Sequence, residues 1–208
     1  LRWQGNPLPL PSPKNLAILS YLALSNQSIS RKDLSELFWK EGKPSNVRFV
    51  LHKLREIPGS ENWLETNDIL VSVQATTDVR RFEECIRNEQ FAEGLEIHPH
   101  GETLLNGLEL NDAEHFINWL ELERSRLSQL YLDALQGQIK NLEHSNKTDD
   151  ALKLARQLLE QDRLNESVHR IIMRLEHKRG NTEAALAQFE HLRQILKAEL
   201  DVEPLKDT

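Results

Sequence analysis

Helix breakers and helix starters alternate at short range through the first 76 residues, and they leave little choice of fold there. Prolines at 7, 9, 11 and 13 forbid a helix before residue 13. Asn6-Pro7 reads as a turn between short edge strands. Ser12 offers an N-cap with Pro13 at the first helical position. Leu16, Leu19, Tyr21, Leu22 and Leu24 then carry an apolar helix to about Ser25. Ser30 caps a second helix, Arg31 to about Trp39, with Leu34, Leu37 and Phe38 inward. Gly42 and Pro44 close the next turn and open a third helix, Ser45 to Ile57, which Pro58-Gly59 stops. Trp63–Thr66 and Ile69–Val73 are strand-like runs around Asn67-Asp68, a hairpin signal. The head therefore reads as strand, three helices and hairpin. Its second and third helices have helix-turn-helix dimensions, and the hairpin after them makes a wing.

The rest of the chain holds no strand pattern. Asp78 to Asn88 is a helix with Phe82, Cys85 and Ile86 inward, and Glu89 to about Glu96 is a second. A linker with Pro99 and Gly101 follows. Asn111, with Glu114 three residues on, reads as a capping box for a long helix bearing Phe116, Trp119, Leu120, Leu127, Leu130, Tyr131, Leu135 and Ile139. Three more helices are expected at about 148–161, 166–179 and 182–199, the middle one stopped by Gly180. Ala151-x-x-x-Ala155 and Ala185-x-x-x-Phe189 lie 34 residues apart, the tetratricopeptide (TPR) period, with Arg163 where that repeat usually has proline. In such arrays each helix pair leaves an apolar face for the next to cover. The expected fold is mainly α: a winged helix-turn-helix over 1–76, then an all-α TPR-like domain over 77–208.

Charge separates the two parts. Residues 1–76 hold nine Lys/Arg against seven Asp/Glu, while the remainder holds 17 against 26. The whole chain carries −7, which argues against a uniformly basic nucleic-acid coat and for two domains with different partners. The single cysteine, Cys85, excludes an internal disulfide framework, and a reducing cytoplasm is the expected compartment. No apolar run approaches the roughly 20 residues of a membrane span. No charged head with an apolar stretch opens the chain, so no secretory signal is read. The chain opens on Leu1 rather than Met and reads as a piece of something longer.

The third helix carries the candidate chemistry. With Val47, Val50, Leu51 and Leu54 inward, about 100° per residue turns Ser45, Phe49, His52 and Glu56 outward, with Arg48, Lys53 and Arg55 beside them. An Arg can fork onto guanine O6 and N7, a Lys can pair with phosphate, and an aromatic or small group can touch a thymine methyl. An outward Phe49 is costly unless it meets something. Arg31 and Lys32 open the second helix, where backbone N–H groups also favour phosphate, and Lys43 sits in the turn before the third. The wing tip, Thr66-Asn67-Asp68, has no cation. The plain alternative is an ordinary amphipathic helix with a solvated basic face.

Other constellations are poor in chemistry. His98-Pro99-His100 is the closest histidine pair and has no third ligand near it in sequence, so no metal site is expected. His169 and Glu176-His177 share a helix and read as surface, and Cys85 as a buried inert thiol. Asp149-Asp150 and Glu83-Glu84 read as solvated faces, and Glu123, Arg124 and Arg126 as helix bracing. There is no Gly-rich phosphate loop or Gly-x-Ser-x-Gly turn, so neither a cofactor nor an enzyme activity is expected.

The motifs taken together resemble a known family. Pro9–Lys14, Leu19–Leu24, Ser30–Trp39 and Val50–Arg55 resemble the OmpR/PhoB-like winged helix of the Streptomyces antibiotic regulatory proteins, the SARP family. Thr77–Glu83, Trp119 with Glu123–Leu127, Glu166–Met173 and the closing Leu196–Pro204 resemble the bacterial transcriptional activator domain that follows it there. The resemblance implies a regulator that binds duplex promoter DNA, often at direct repeats, reads it with the third helix and activates by contact with RNA polymerase. A second copy of the chain is a further expected partner. The competing expectation is a protein-interaction module in a larger signalling protein, its winged helix not touching DNA. Phe49 and the weak positive balance of the head motivate it.

Overall fold

The computed structural model describes residues 2–3, 6–42, 44–97 and 103–208, with only the backbone of 2–3 and 6–7. Lys43 and the His98-Pro99-His100-Gly101 stretch lie outside the described residues. The chain packs as two compact units: residues 1–84 with 97–128, and residues 85–96 with 129–208.

The first unit begins with an antiparallel pair, β1 (Arg2–Trp3) and β2 (Asn6–Pro7). Asn6-Pro7 is thus strand and not turn; a proline is tolerated on a two-stranded edge. Helix α1 (Pro13–Ser25) starts as its sequence requires, with the Ser12 side chain accepting from the Asn15 N–H and Pro13 in the first turn. Strand β3 (Ile29–Ser30) follows, an element with no sequence signal of its own. Ser30 caps α2 (Arg31–Phe38) through the Asp33 N–H at 3.0 Å. Gly42, at φ +56°, turns the chain, and α3 runs Pro44–Arg55. It ends two residues earlier than its pattern suggests, because Pro58 disfavours helical geometry at Ile57, which turns into the core.

Strands β4 (Leu64–Thr66) and β5 (Leu70–Val73) form the expected hairpin. Asn67 shapes its turn by accepting from the Ile69 and Leu70 N–H groups at 2.8 and 2.7 Å. β5 also pairs with β3, so the sheet has three strands in the order β3-β5-β4.

The long helix α6 (Glu114–His144) supplies this unit with Phe116 and Leu120, both fully buried. Phe116 stacks on Phe38 at 4.6 Å, and Trp119 meets the Tyr21 ring edge-on at 4.8 Å. The capping box at Asn111 does not form: the helix starts at Glu114, and the carbonyl of buried Ala113 accepts its first bond. Tertiary contacts override the local pattern here, since Asp112 pairs with Lys14 at 2.5 Å. Lys14 also donates to the Phe38 carbonyl at the α2 C-terminus, where a cation is favoured. Arg124 donates to the Leu104 and Leu105 carbonyls at 2.9 and 3.0 Å. Arg126 binds Glu83 and Glu123, so the expected bracing cluster does brace, and Glu83 is not a free solvated face.

The first unit also contains most of α4 (Asp78–Arg87). The second contains α5 (Phe91–Ile97), the end of α6, α7 (Thr148–Gln161), α8 (Glu166–Lys178) and α9 (Thr182–Leu200). Helices α7 and α9 start 34 residues apart, so the sequence period is a structural one, and α8 packs against both. Ala151 and Ala155 are fully buried, as close helix packing requires.

Two side chains on α8 contradict their surface reading. Glu176, 3% exposed, pairs with Arg156 of α7 at 2.8 Å and lies 3.5 Å from both Arg179 and Asn181. His169, wholly buried, donates Nε2–H to the Arg163 carbonyl at 3.0 Å and accepts at Nδ1 from Gln188 of α9 at 2.7 Å. Each is buried because its partners come from neighbouring helices and turns.

Gly137 in α6 faces the Phe91 ring so closely that a β-carbon would lie 2.5 Å from it. Gly137→Ala should therefore destabilise the protein by about 1–3 kcal/mol despite its better helix propensity, and Phe91→Ala should relieve the conflict in the double variant. Urea unfolding checks both. Burial pushes the His169 imidazole below its usual 6.5, opposed by its bond to the Arg163 carbonyl and reinforced by nearby His191. The unfolded chain protonates near 6.5 and the folded chain only at lower pH. Stability is then full above pH 6.5 and is lost as pH falls below it. Thermal melts of wild type and His169→Gln between pH 7.5 and 5 should show a steeper acid loss in the wild type.

Candidate nucleic-acid interface

The turn from α2 to α3 places one face of α3 in the core and one in solvent. Val47, Val50, Leu51 and Leu54 are all buried, so the period alone orients the helix. Ser45, Arg48, Phe49, His52 and Glu56 are exposed on the other side. Phe49 is 63% exposed, an unusual position for an aromatic ring.

The charges on this face are not equivalent. Glu56 receives Lys53 at 2.8 Å and His52 at 3.3 Å. The Lys53 hydrogen bond leads in holding the Glu56 carboxyl below its usual range, with the Lys53 and His52 charges acting in the same direction. Arg55 donates to the Thr66 hydroxyl on β4, so it ties α3 to the hairpin. Arg48 is the exposed cation of α3 for which no ion pair or hydrogen bond is present among the described residues.

The start of α2 is less open than its sequence suggests. The Arg31 N–H donates to the Ile69 carbonyl at 2.8 Å, and Asp33 N–H is taken by Ser30. The Arg31 Nε is buried without a partner. Lys32 projects into solvent, 3.7 Å from Glu36. Lys43 lies outside the described residues. Structure thus brings Ser45, Arg48, Phe49, His52 and Lys53 onto one helix face. It assigns Arg55 to the helix–hairpin joint and uses the Arg31 backbone to anchor the sheet.

Ile69 at the hairpin turn, 70% exposed, is a second large apolar side chain open to solvent, which sequence reasoning placed only in a strand. Its signal was available: it directly follows the Asn67-Asp68 turn, where an apolar side chain has little to cover it. Among the described residues no group of three or more His, Cys, Asp or Glu could hold a metal, and no helix is long and apolar enough to cross a membrane.

Replacing Lys53 by Ala removes the leading cause of the Glu56 shift. The carboxyl should titrate closer to its ordinary range in Lys53→Ala than in wild type, while His52→Ala should move it less. Carbon-detected NMR titration of the Glu56 side chain reads both.

No curated protein matches the chain. The family model described as "Bacterial transcriptional activator domain" matches residues 72–208, and that family is one of transcriptional activators rather than of enzymes. With about two thirds of its length inside that match, the chain belongs to the bacterial transcriptional activator domain family.

Proposed function

We propose that this member of the activator family is a DNA-binding regulator whose residues 1–76 act as a winged helix and whose α3 reads duplex promoter DNA. The observation that carries the reading is the outward face of α3. There Arg48, unpaired among the described residues, stands beside exposed Phe49, with Ser45 and His52 on the same side. A forked guanidinium beside an aromatic ring can engage a guanine edge and an adjacent thymine methyl. Lys32 and Lys53 fit phosphate contacts that position the helix without specifying sequence. On this reading the helical body, residues 77–208, is the part that contacts protein partners, RNA polymerase among them, in a cytoplasmic setting.

Exposed Phe49 favours a second reading, in which the same face of α3 packs against a protein. Salt separates the two. Phosphate contacts release counterions, so DNA affinity falls with a log–log slope of about −0.9 per neutralised phosphate, whereas an apolar contact is nearly insensitive.

The test is selection of bound duplexes from a random pool, followed by fluorescence anisotropy on the enriched sequence. Arg48→Ala should weaken binding by roughly 5- to 150-fold and relax preference at one base pair. Lys32→Ala should weaken all sequences alike and reduce the salt slope by about 1. An unenriched pool, or unchanged affinity and preference in Arg48→Ala, would remove α3 as the reader.

A further inference from the structure

Glu56 is the one acid in residues 44–56, and it sits among the bases of the α3 face. Its N–H donates to the His52 carbonyl at 3.2 Å, so it continues the last turn of the helix. The carboxylate is shared. One oxygen takes the Lys53 ammonium at 2.8 Å, and the other lies 3.3 Å from His52 Nε2. Glu56 and His52 are exposed, and Lys53 is half-buried. Exposed pairs at helical spacing contribute little to stability. What this one changes is the charge the face presents, because Glu56 and Lys53 together carry none.

Spacing sets what the carboxylate meets. Glu56 follows Phe49 by seven residues. Seven residues are about two helical turns, so the two side chains leave α3 on the same side, roughly 10 Å apart along its axis. The major groove of DNA is about 12 Å wide, with phosphates along both walls. A helix seated there by Arg48 and Phe49 has Glu56 within reach of a strand's phosphates. A carboxylate is repelled at that place, and a contact from Lys53 to phosphate has to displace Glu56 first.

We propose that Glu56 is a built-in brake on the DNA affinity of this face: it occupies Lys53 and opposes the phosphate backbone, lowering binding to all duplexes alike. This role rests on the reading of α3 as the DNA-contacting helix. It differs from base reading, in which a carboxylate accepts from cytosine N4 and its loss shifts preference at one base pair.

The experiment measures fluorescence anisotropy of the full chain on the duplex enriched from the random pool and on a scrambled version of it, across a range of salt. Glu56→Gln keeps the shape of the side chain and removes its charge, and circular dichroism checks that the variant is folded. It should tighten both duplexes by a similar factor, about three- to tenfold at low salt, and steepen the log–log salt slope by about 1 as Lys53 reaches a phosphate. Adding Lys53→Ala should abolish the steepening. Unchanged affinity in Glu56→Gln overturns the brake. Weaker binding with altered preference at one base pair assigns Glu56 to base reading and overturns it as well. In both cases α3 stands as the reader if Arg48→Ala still relaxes preference. Absence of binding by wild type and Glu56→Gln alike removes the reading of α3 itself, and the brake with it.

Discussion

The stacking of Phe38 on Phe116 is the contact on which the first unit depends. The three short helices and three-stranded sheet of the head bury one face of α2, and the Phe38 ring at its end packs against both Tyr21 of α1 and Phe116 of α6. Phe116 and Leu120 complete that core, with Trp119 packed on Tyr21 beside them. Lys14 reinforces the same junction three ways: it binds Asp112, donates to the Phe38 carbonyl and lies over the Trp39 ring at 4.9 Å. A small head buries a modest fraction of its surface, and borrowed aromatic area is an effective remedy. The compact unit accordingly reaches from the head through residues 97–128, although composition changes near residue 76.

Most of this was legible in the sequence because it is local. Ser12, Pro13, Ser30, Asn67 and Pro58 act on their immediate neighbours, and they start, turn or stop elements where their chemistry requires. The 34-residue period was legible for a different reason: repetition fixes register without knowledge of contacts. What escaped is what depends on a distant partner. Ile29-Ser30 is too short to show alternation and is a strand only because β5 lies beside it. Asn111 has the right spacing for a cap, yet Asp112 and Ala113 are committed elsewhere. Glu176 and His169 look like surface residues on a helical wheel, and the burial that overturns this comes from α7, α9 and the intervening turns.

The candidate interface divides along the same line. Burial of Val47, Val50, Leu51 and Leu54 follows from the 3.6-residue repeat, and the outward face follows with it. Which outward cations are available does not follow from the repeat. Lys53 shares Glu56 with His52 through helical spacing, which a sequence can suggest. Arg55 is held by Thr66 across the hairpin, which it cannot. The structure therefore shortens a list of basic residues to a few with distinct physical positions.

That shortening bears on how a head of this kind would hold DNA. Non-specific affinity scales with the number of phosphates neutralised, and a surface with few unpaired cations neutralises few. On the proposed reading, Glu56 would add a carboxylate to the same face, opposing the phosphate backbone and disfavouring any duplex that does not reward Arg48 and Phe49. Such a head is poorly suited to sliding tightly along arbitrary sequence and better suited to acting in concert. Two copies on adjacent sites, or one copy steadied by a protein contact through its helical body, raise the effective concentration of each head at its site. On the proposed reading, weak general attraction with a demanding contact face would suit a regulator whose occupancy depends on its partners.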